Sequence, residues 1–164
     1  MKWIAQTASE AKTVADGARF CLDEGASACY VHGGVMDHLL AAGRLEVVRA
    51  ATDLVRAAGL PAGIAGHLPG VFLWAEAHLD LDFYMVSYYN PIPRGESPHN
   101  RPGTEERFAA EDRDERVALI QTLKRPVIHY KVLAAGRTPP AEGLALHSGV
   151  VPAGPHLRAD RRSL

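Results

Sequence analysis

Short β-type runs alternate along the chain with stretches in which apolar residues have helical spacing. The clearest helix is predicted over 44–58, where apolar residues recur every three or four positions and Gly59 followed by Pro61 ends the run. Strands are predicted at 2–5, 28–32, 62–66, 82–89 and 126–133, with helices at 14–24, 44–58, 71–78, 112–123 and from 138. This alternation predicts parallel strands joined by crossover helices.

Two segments break the alternation. Between 90 and 110 the chain contains four prolines and two glycines, which excludes a regular element. A loop of about 20 residues inside a compact domain is typical of an active-site cover or of a disordered insertion, and both interpretations stay open. Past His147 the periodicity fails. We therefore predict one domain over 1–147 and an irregular or disordered tail over 148–164.

Composition and charge narrow the class of protein. The chain has 164 residues, 47% of them hydrophobic, and its 18 basic against 19 acidic residues give a formal charge of −1. This near-neutral balance removes the electrostatic argument for nucleic acid or an anionic membrane as a partner. No apolar run approaches the roughly 20 residues that span a bilayer, and the first residues do not form a secretory signal. We expect a cytoplasmic protein that acts on a small molecule.

Side-chain alternation in the last predicted strand separates two α/β architectures. His129, Lys131 and Val127 share one face of that strand. In an open doubly wound parallel sheet both faces lie under helices, where a lysine and a histidine would be costly to bury. A barrel gives such a face an open mouth, and its enzymes carry their reacting groups at the C-terminal strand ends. We predict a partial (βα)8 TIM barrel of about five parallel strands, with the open sheet as the alternative.

Four runs carry a family resemblance: YVHGGVMD at 30–37, GIAGHLP at 63–69, DFYMVSYYNP at 82–91 and PVIHYKVLAAGR at 126–137. Together they resemble a family of largely uncharacterised, aldolase-like TIM-barrel proteins, over about residues 1–146. The resemblance implies that the first strand here corresponds to about the third strand of the family's barrel. Two βα units would then be absent before Met1, and the closing strand would be absent after His147. The resemblance implies a fold, but it implies almost nothing about the substrate or the reaction.

Lys131 is the strongest candidate for a reacting group. Desolvation of an ammonium lowers its pKa and leaves a free amine that can attack a carbonyl carbon, as in lyases that form a Schiff base. His129, about 7 Å away along the strand, could relay a proton, and Tyr88 or Tyr89, whichever points inward, could serve as a second acid or base. The alternative is that Lys131 pairs with a carboxylate for structural reasons alone.

The predicted reaction is a lyase or aldolase type of reaction on a small anionic carbonyl compound, without a cofactor. Arg137, in a turn where backbone N–H groups and a guanidinium could hold an anion, is the predicted clamp. The other predicted substrate contacts lie at strand ends and are His32, His67 and Asn90.

Two further functions stay open. Three histidines from neighbouring strands could hold a divalent metal for an isomerase or hydrolase, namely His32, His67 and His129. They occur singly rather than in a metal-binding motif, so no metal ligand is assigned. The chain could also be a non-catalytic barrel fragment that self-associates through its open sheet edges.

Overall fold

The structure is a computed structural model that describes residues 1–8, 12–91 and 108–150. Its centre is one parallel sheet of five strands, curled into a half-barrel, in which the spatial order is the chain order. The strands are β1 (Ile4–Gln6), β2 (Ala28–Val31), β3 (Ala62–Gly66), β4 (Phe83–Ser87) and β5 (Val127–Tyr130). The predicted α/β half-barrel of five parallel strands is therefore confirmed.

The strand order rules out the open alternative for the described residues. A doubly wound sheet reverses its strand order at a switch point, which places strands that are consecutive in the chain on opposite sides of the first strand. Here each strand pairs in parallel with the next strand in the chain, from β1 through β5. Such stepwise pairing curls a twisted sheet in one direction, as in a barrel.

Six helices and two short 3₁₀ turns connect these strands within the described ranges. The helices are α1 (Val14–Asp23), α2 (Gly33–Ala41), α3 (Val48–Ala57), α4 (Pro69–His78), α5 (Ala110–Ile120) and α6 (Pro140–Val150), and the turns are Leu45–Val47 and Ala134–Gly136. Thr13 caps α1 as predicted, since its Oγ1 accepts the backbone N–H of Asp16 at 3.0 Å. Helix α2 was not predicted because its first residues, Gly33 and Gly34, resemble a turn.

The two faces of the sheet can be told apart at β3. A side chain at Gly66 would meet Val71 and Phe72 of α4 at 3.0 Å, so the face with Ile64 and Gly66 lies against the helices. The opposite face holds Gly63, where a Cβ would come within 2.6 Å of the Phe83 ring. The helical face carries most of the apolar core, and Ile64, Val71 and Phe72 are fully buried in it.

Strand β5 ends three residues earlier than the predicted Leu133, at Tyr130. Lys131 has a left-handed backbone with φ 60°, and Ala134 and Ala135 follow with φ 49° and 53°. A residue in this conformation cannot continue a strand, so the chain turns at once into the 3₁₀ turn before α6.

The predicted loop and tail fall largely on residues that the structure does not describe. Residues 92–107 and 151–164 lie outside the described ranges, while α6 extends to Val150, past the predicted domain boundary at 147. Across the described part of the chain, every helix is too short or too polar to cross a lipid bilayer.

Candidate functional site

The residues that follow the strands at their C-terminal ends are centred on His67 and Asp37. The imidazole Nδ1 of His67, directly after β3, lies 2.6 Å from Oδ2 of Asp37 in α2. Oδ1 of the same carboxylate accepts the backbone N–H groups of His67 at 3.1 Å and Leu68 at 3.2 Å. Because a carboxylate can only accept, Nδ1 carries a proton and donates it, so in the neutral form of the imidazole the lone pair is on Nε2. Asp37 thus fixes both the ring and its tautomer.

Two proton donors converge on that Nε2 atom. The ammonium Nζ of Lys131 lies 3.0 Å from it, and the hydroxyl of Tyr130 lies 3.4 Å from it. Burial lowers the pKa of Lys131, an effect that the charge of Asp37 opposes. Burial, together with the charge of Asp37, raises the pKa of Tyr130, so its hydroxyl stays protonated. The arrangement is a short chain from carboxylate to imidazole to amine, with a phenol beside the amine.

The left-handed backbone of Lys131 builds this arrangement. Strict alternation along β5 would send the Lys131 side chain to the face opposite Tyr130. Because the strand ends at Tyr130 and Lys131 has a positive φ, Nζ instead lies 5.2 Å from the centre of the Tyr130 ring. A non-glycine residue in this conformation costs about 1–2 kcal/mol, and such strain is often found at functional sites. The Lys131 side chain therefore does not follow the alternation on which the sequence prediction is based, although Lys131 and His129 both line the groove beside β5.

His129 and Tyr88 form a separate pair on the helical side of the sheet. His129 pairs in register with Val86, a fully buried core residue, and its Nδ1 lies 2.9 Å from the hydroxyl of Tyr88. Burial raises the pKa of Tyr88, with a further contribution from Tyr89. The structure thus brings the two predicted proton-transfer residues to each other, while Tyr130 is the phenol beside Lys131.

Arg116 of α5 connects the ends of β3 and β4. Its fully buried Nη2 donates to the carbonyl of His67 at 2.7 Å and to Oδ1 of Asn90 at 2.6 Å. Asn90 in turn donates its Nδ2 to Oδ1 of Asp112 at 2.8 Å and its backbone N–H to Oδ2 at 3.2 Å. The predicted substrate contact Asn90 is thus engaged in holding α5 to the strand ends.

The environment of Arg116 is unusual for a guanidinium. Burial lowers the pKa of Arg116, and the charges of Glu115, Asp112 and Asp37 oppose that effect. Its Nε and Nη1 atoms are buried without a hydrogen-bond partner. Such groups are costly to bury, so the contacts through Nη2 have to hold Arg116 in place.

Four members of the network were not predicted, namely Asp37, Asp112, Arg116 and Tyr130. The charge run 111–116 resembles a solvated helix start with a capping box at Asp112, but Asp112 and Arg116 are buried and α5 begins at Ala110. Helical spacing carried the signal, because positions 112, 116, 119 and 120 share one face with the buried Leu119 and Ile120. Asp37 gave no comparable signal, since α2 itself was not predicted.

His32 and Arg137, which are predicted to contact the substrate, have contacts within the protein itself. Nδ1 of His32 accepts the N–H of Gly34 at 3.0 Å, which caps α2. The Arg137 guanidinium lies 4.3 Å from the centre of the Phe108 ring and donates to the carbonyl of Ala134 at 3.3 Å. The turn at Gly136 has a left-handed φ of 85°, as expected of a glycine stop.

An open groove of about 460 Å³ runs beside β5, and Lys131 lines it. The other lining residues are Phe108, His129, Tyr130, Val132, Leu133 and Ala135. A cavity of this size can hold a small organic molecule. The groove therefore gives a substrate a place next to the lysine.

Metal ligation by the histidines finds no geometric support in the described ranges. Over residues 1–8, 12–91 and 108–150, no three His, Cys, Asp or Glu side chains form a group that could hold an ion. His67 is hydrogen-bonded to Asp37, His32 caps a helix, and His129 contacts the hydroxyl of Tyr88.

Comparisons with protein-family models, with curated proteins and with solved structures found no match for this chain. The resemblance to an aldolase-like barrel family therefore stays a prediction, whereas the five-stranded parallel half-barrel is observed in the structure.

Proposed function

We propose that the protein is an amine-dependent lyase of the aldolase type, which binds a carbonyl compound through Lys131. The observation that carries the proposal is the chain of contacts from Asp37 through His67 to Lys131, with distances of 2.6 and 3.0 Å. The amine lies beside Nε2 of an imidazole whose other nitrogen is held by a carboxylate. That order of groups is suited to proton removal from the amine.

The first step is the formation of the free amine. Nε2 of His67 takes a proton from the Lys131 ammonium, and the resulting imidazolium is stabilised by Asp37 at Nδ1. The lowered pKa of Lys131 reduces the cost of this transfer. Lys131 remains open to solvent, so its amine can reach a carbonyl compound in the groove.

The free amine then forms an iminium ion with the substrate, which allows a carbon–carbon bond to break. Nζ attacks the carbonyl carbon, one proton of the amine and the proton of the His67 imidazolium pass to the carbonyl oxygen, and this oxygen leaves as water to give an iminium ion. The Tyr130 hydroxyl, which stays protonated, can donate a hydrogen bond to that oxygen.

In a substrate with a hydroxyl group on the β carbon, neutral His67 takes the proton of that hydroxyl as the bond between the α and β carbons breaks, and the first product leaves with a new carbonyl group. The electron pair of the broken bond forms the enamine double bond, and the iminium nitrogen recovers its lone pair. Protonation of the resulting enamine and addition of water release the second product and restore the lysine.

Trapping of the iminium tests the proposal. Sodium cyanoborohydride delivers a hydride to an iminium carbon and fixes the substrate to the lysine as a stable secondary amine. We expect peptide mapping by mass spectrometry to locate the adduct of small aldehydes and ketones at Lys131. The variant His67→Gln should slow its formation by about 100-fold, the usual contribution of a positioned proton acceptor.

Lys124 provides the matched control because it lies just before β5, with a side chain that is 80% exposed. The variant Lys124→Met should leave the trapping at Lys131 unchanged, whereas Lys131→Met should remove it. Adducts distributed equally over the two lysines, or adducts at Lys131 that do not depend on His67, would refute the proposal.

A second proposal is self-association without catalysis. Within the described residues, the outer edges of β1 and β5 have no partner strand. Ile4, the first residue of β1, and the preceding Trp3 are 48% and 38% exposed. Open edges and exposed apolar side chains favour pairing between copies. Light scattering after size exclusion would show a concentration-dependent mass above 17.7 kDa, which Ile4→Lys should reduce. A constant monomer mass would contradict this proposal.

A further inference from the structure

The wall of the groove beside Lys131 is mainly apolar. Phe108, Val132, Leu133 and Ala135 contribute most of its lining, and Lys131 is the single lysine or arginine among the described residues that line it. An amine that forms an iminium cannot also pair with a substrate carboxylate. Among the described lining residues, a second anionic group would therefore find no further lysine or arginine as a partner.

The apolar wall is held in place from behind. Leu133 packs against Gly143 of α6, where an added Cβ would come within 2.6 Å of Cδ2 of Leu133. Phe108 lies between the Tyr89 ring, with ring centres 5.2 Å apart, and the Arg137 guanidinium at 4.3 Å. A pre-formed apolar surface binds apolar groups without first having to be ordered.

Arg137, the predicted anion clamp, supports this wall. Its guanidinium covers the Phe108 ring and donates to the carbonyl of Ala134, and it does not line the groove. The cation thus positions an aromatic wall residue.

From this geometry we infer that the substrate is a carbonyl compound with an uncharged aliphatic or aromatic substituent, which packs against Leu133 and Phe108. The inference rests on the proposed amine chemistry at Lys131. It replaces the small anionic substrate expected from the sequence with an apolar one.

A matched pair of aldehydes tests the inference. Hexanal and 6-oxohexanoate have the same six-carbon chain and differ in a terminal methyl or carboxylate group. With cyanoborohydride present, we expect the adduct at Lys131 to reach half-saturation at about tenfold lower concentration of hexanal, since a tenfold ratio corresponds to about 1.4 kcal/mol. Equal half-saturation, or a preference for 6-oxohexanoate, would overturn the apolar substrate while leaving the amine chemistry intact.

Variants of the wall residues test whether the preference for hexanal over 6-oxohexanoate arises in the groove. We expect Leu133→Ala to raise the half-saturating concentration of hexanal by about threefold to tenfold and to leave that of 6-oxohexanoate nearly unchanged. The matched control is Leu144→Ala in α6, because Leu144 is 59% exposed and does not line the groove. An equal effect of the two variants would overturn the inference.

Ala135→Asp is the second variant. Ala135 is exposed, so replacing its methyl group leaves no cavity in the protein. Its new carboxylate should weaken hexanal trapping by about threefold through the cost of desolvating the charge. Unchanged hexanal trapping in a folded Ala135→Asp protein would contradict an apolar substituent in the groove. Absence of any adduct at Lys131 with both aldehydes would refute the proposed function itself, together with this inference.

Discussion

The two ends of the sheet use charged residues in different ways. At the N-terminal ends of the strands, Arg56 bridges Asp80 at 2.7 Å and Asp82 at 3.0 Å, and Lys124 faces Glu76 at 3.6 Å. At the C-terminal ends, Lys131 faces an imidazole at 3.0 Å. Strand β5 therefore has one lysine directly paired with a carboxylate at its start and one beside a proton acceptor at its end.

The charged pairs at the N-terminal ends of the strands contribute to stability, whereas the charged groups at the C-terminal ends are arranged differently. Exposed pairs of opposite charge, such as Lys124 and Glu76, contribute about 0–1 kcal/mol each and hold helices to strands. At the other end the groups are more buried, the backbone of Lys131 is left-handed, and Arg116 has unsatisfied buried donors. Strain and incomplete pairing lower stability, so their concentration on one end supports a functional role for that end.

The largest expected effect concerns the two arginines. Arg116→Met should lower the free energy of unfolding by about 3–5 kcal/mol, because it leaves the buried acceptors of Asn90 and His67 without their donor. Arg56→Met, at the exposed end, should lower it by about 1 kcal/mol or less. Urea denaturation of both variants measures the contrast, and equal losses would remove the distinction between the two ends.

Asp37→Asn should slow the trapping at Lys131 by about 100-fold without unfolding the protein. An amide can donate to Nδ1 of His67 and so favour the tautomer with the proton on Nε2, where the lone pair for Lys131 is then lost. Asp80→Asn is the control, since its carboxylate pairs with Arg56 and Arg125 at the other end. A slowing of less than about threefold in Asp37→Asn would mean that the carboxylate does not set the tautomer.

The smallest effect concerns the backbone at the two lysines. Lys131→Gly should be more stable than Lys131→Ala by about 0.5–1 kcal/mol, because glycine adopts the left-handed conformation without strain. Lys124 does not have a positive φ, so the order should reverse there, with Lys124→Ala the more stable variant. Thermal unfolding of the four variants measures these differences in stability. If the glycine and alanine variants had the same order of stability at both positions, the backbone of Lys131 would not be strained.

The fold could largely be predicted from the sequence because its signals are local. Strand β3 has the predicted bounds, and α1 begins at the predicted cap, Thr13. Helix α2 was missed since two glycines resemble a turn, although His32 supplies its cap through a side-chain nitrogen that is uncommon in that role. The short β5 was overestimated because apolar and β-branched residues continue past Tyr130.

The site was only partly predictable, for a different reason. Lys131 and His67 could be found because they lie next to strand ends, where barrel enzymes carry their reacting groups. Asp37 and Arg116 approach from helices, and nothing local indicates which strand end a helical charge contacts. The alternation rule failed at Lys131 because it assumes an extended backbone, and this residue has a left-handed one.

The central claim is that Lys131 is an activated amine and Lys124 is not. Trace labelling of the folded protein with acetic anhydride over a range of pH, followed by peptide mapping, measures both amines in one sample. The free amine is the reactive form, and its fraction rises with pH through the pKa. Because burial lowers the pKa of Lys131, we expect its labelling to rise at lower pH than that of an ordinary lysine, and to exceed that of Lys124 near neutral pH. Labelling of the two lysines that rises together over the whole range would contradict the account.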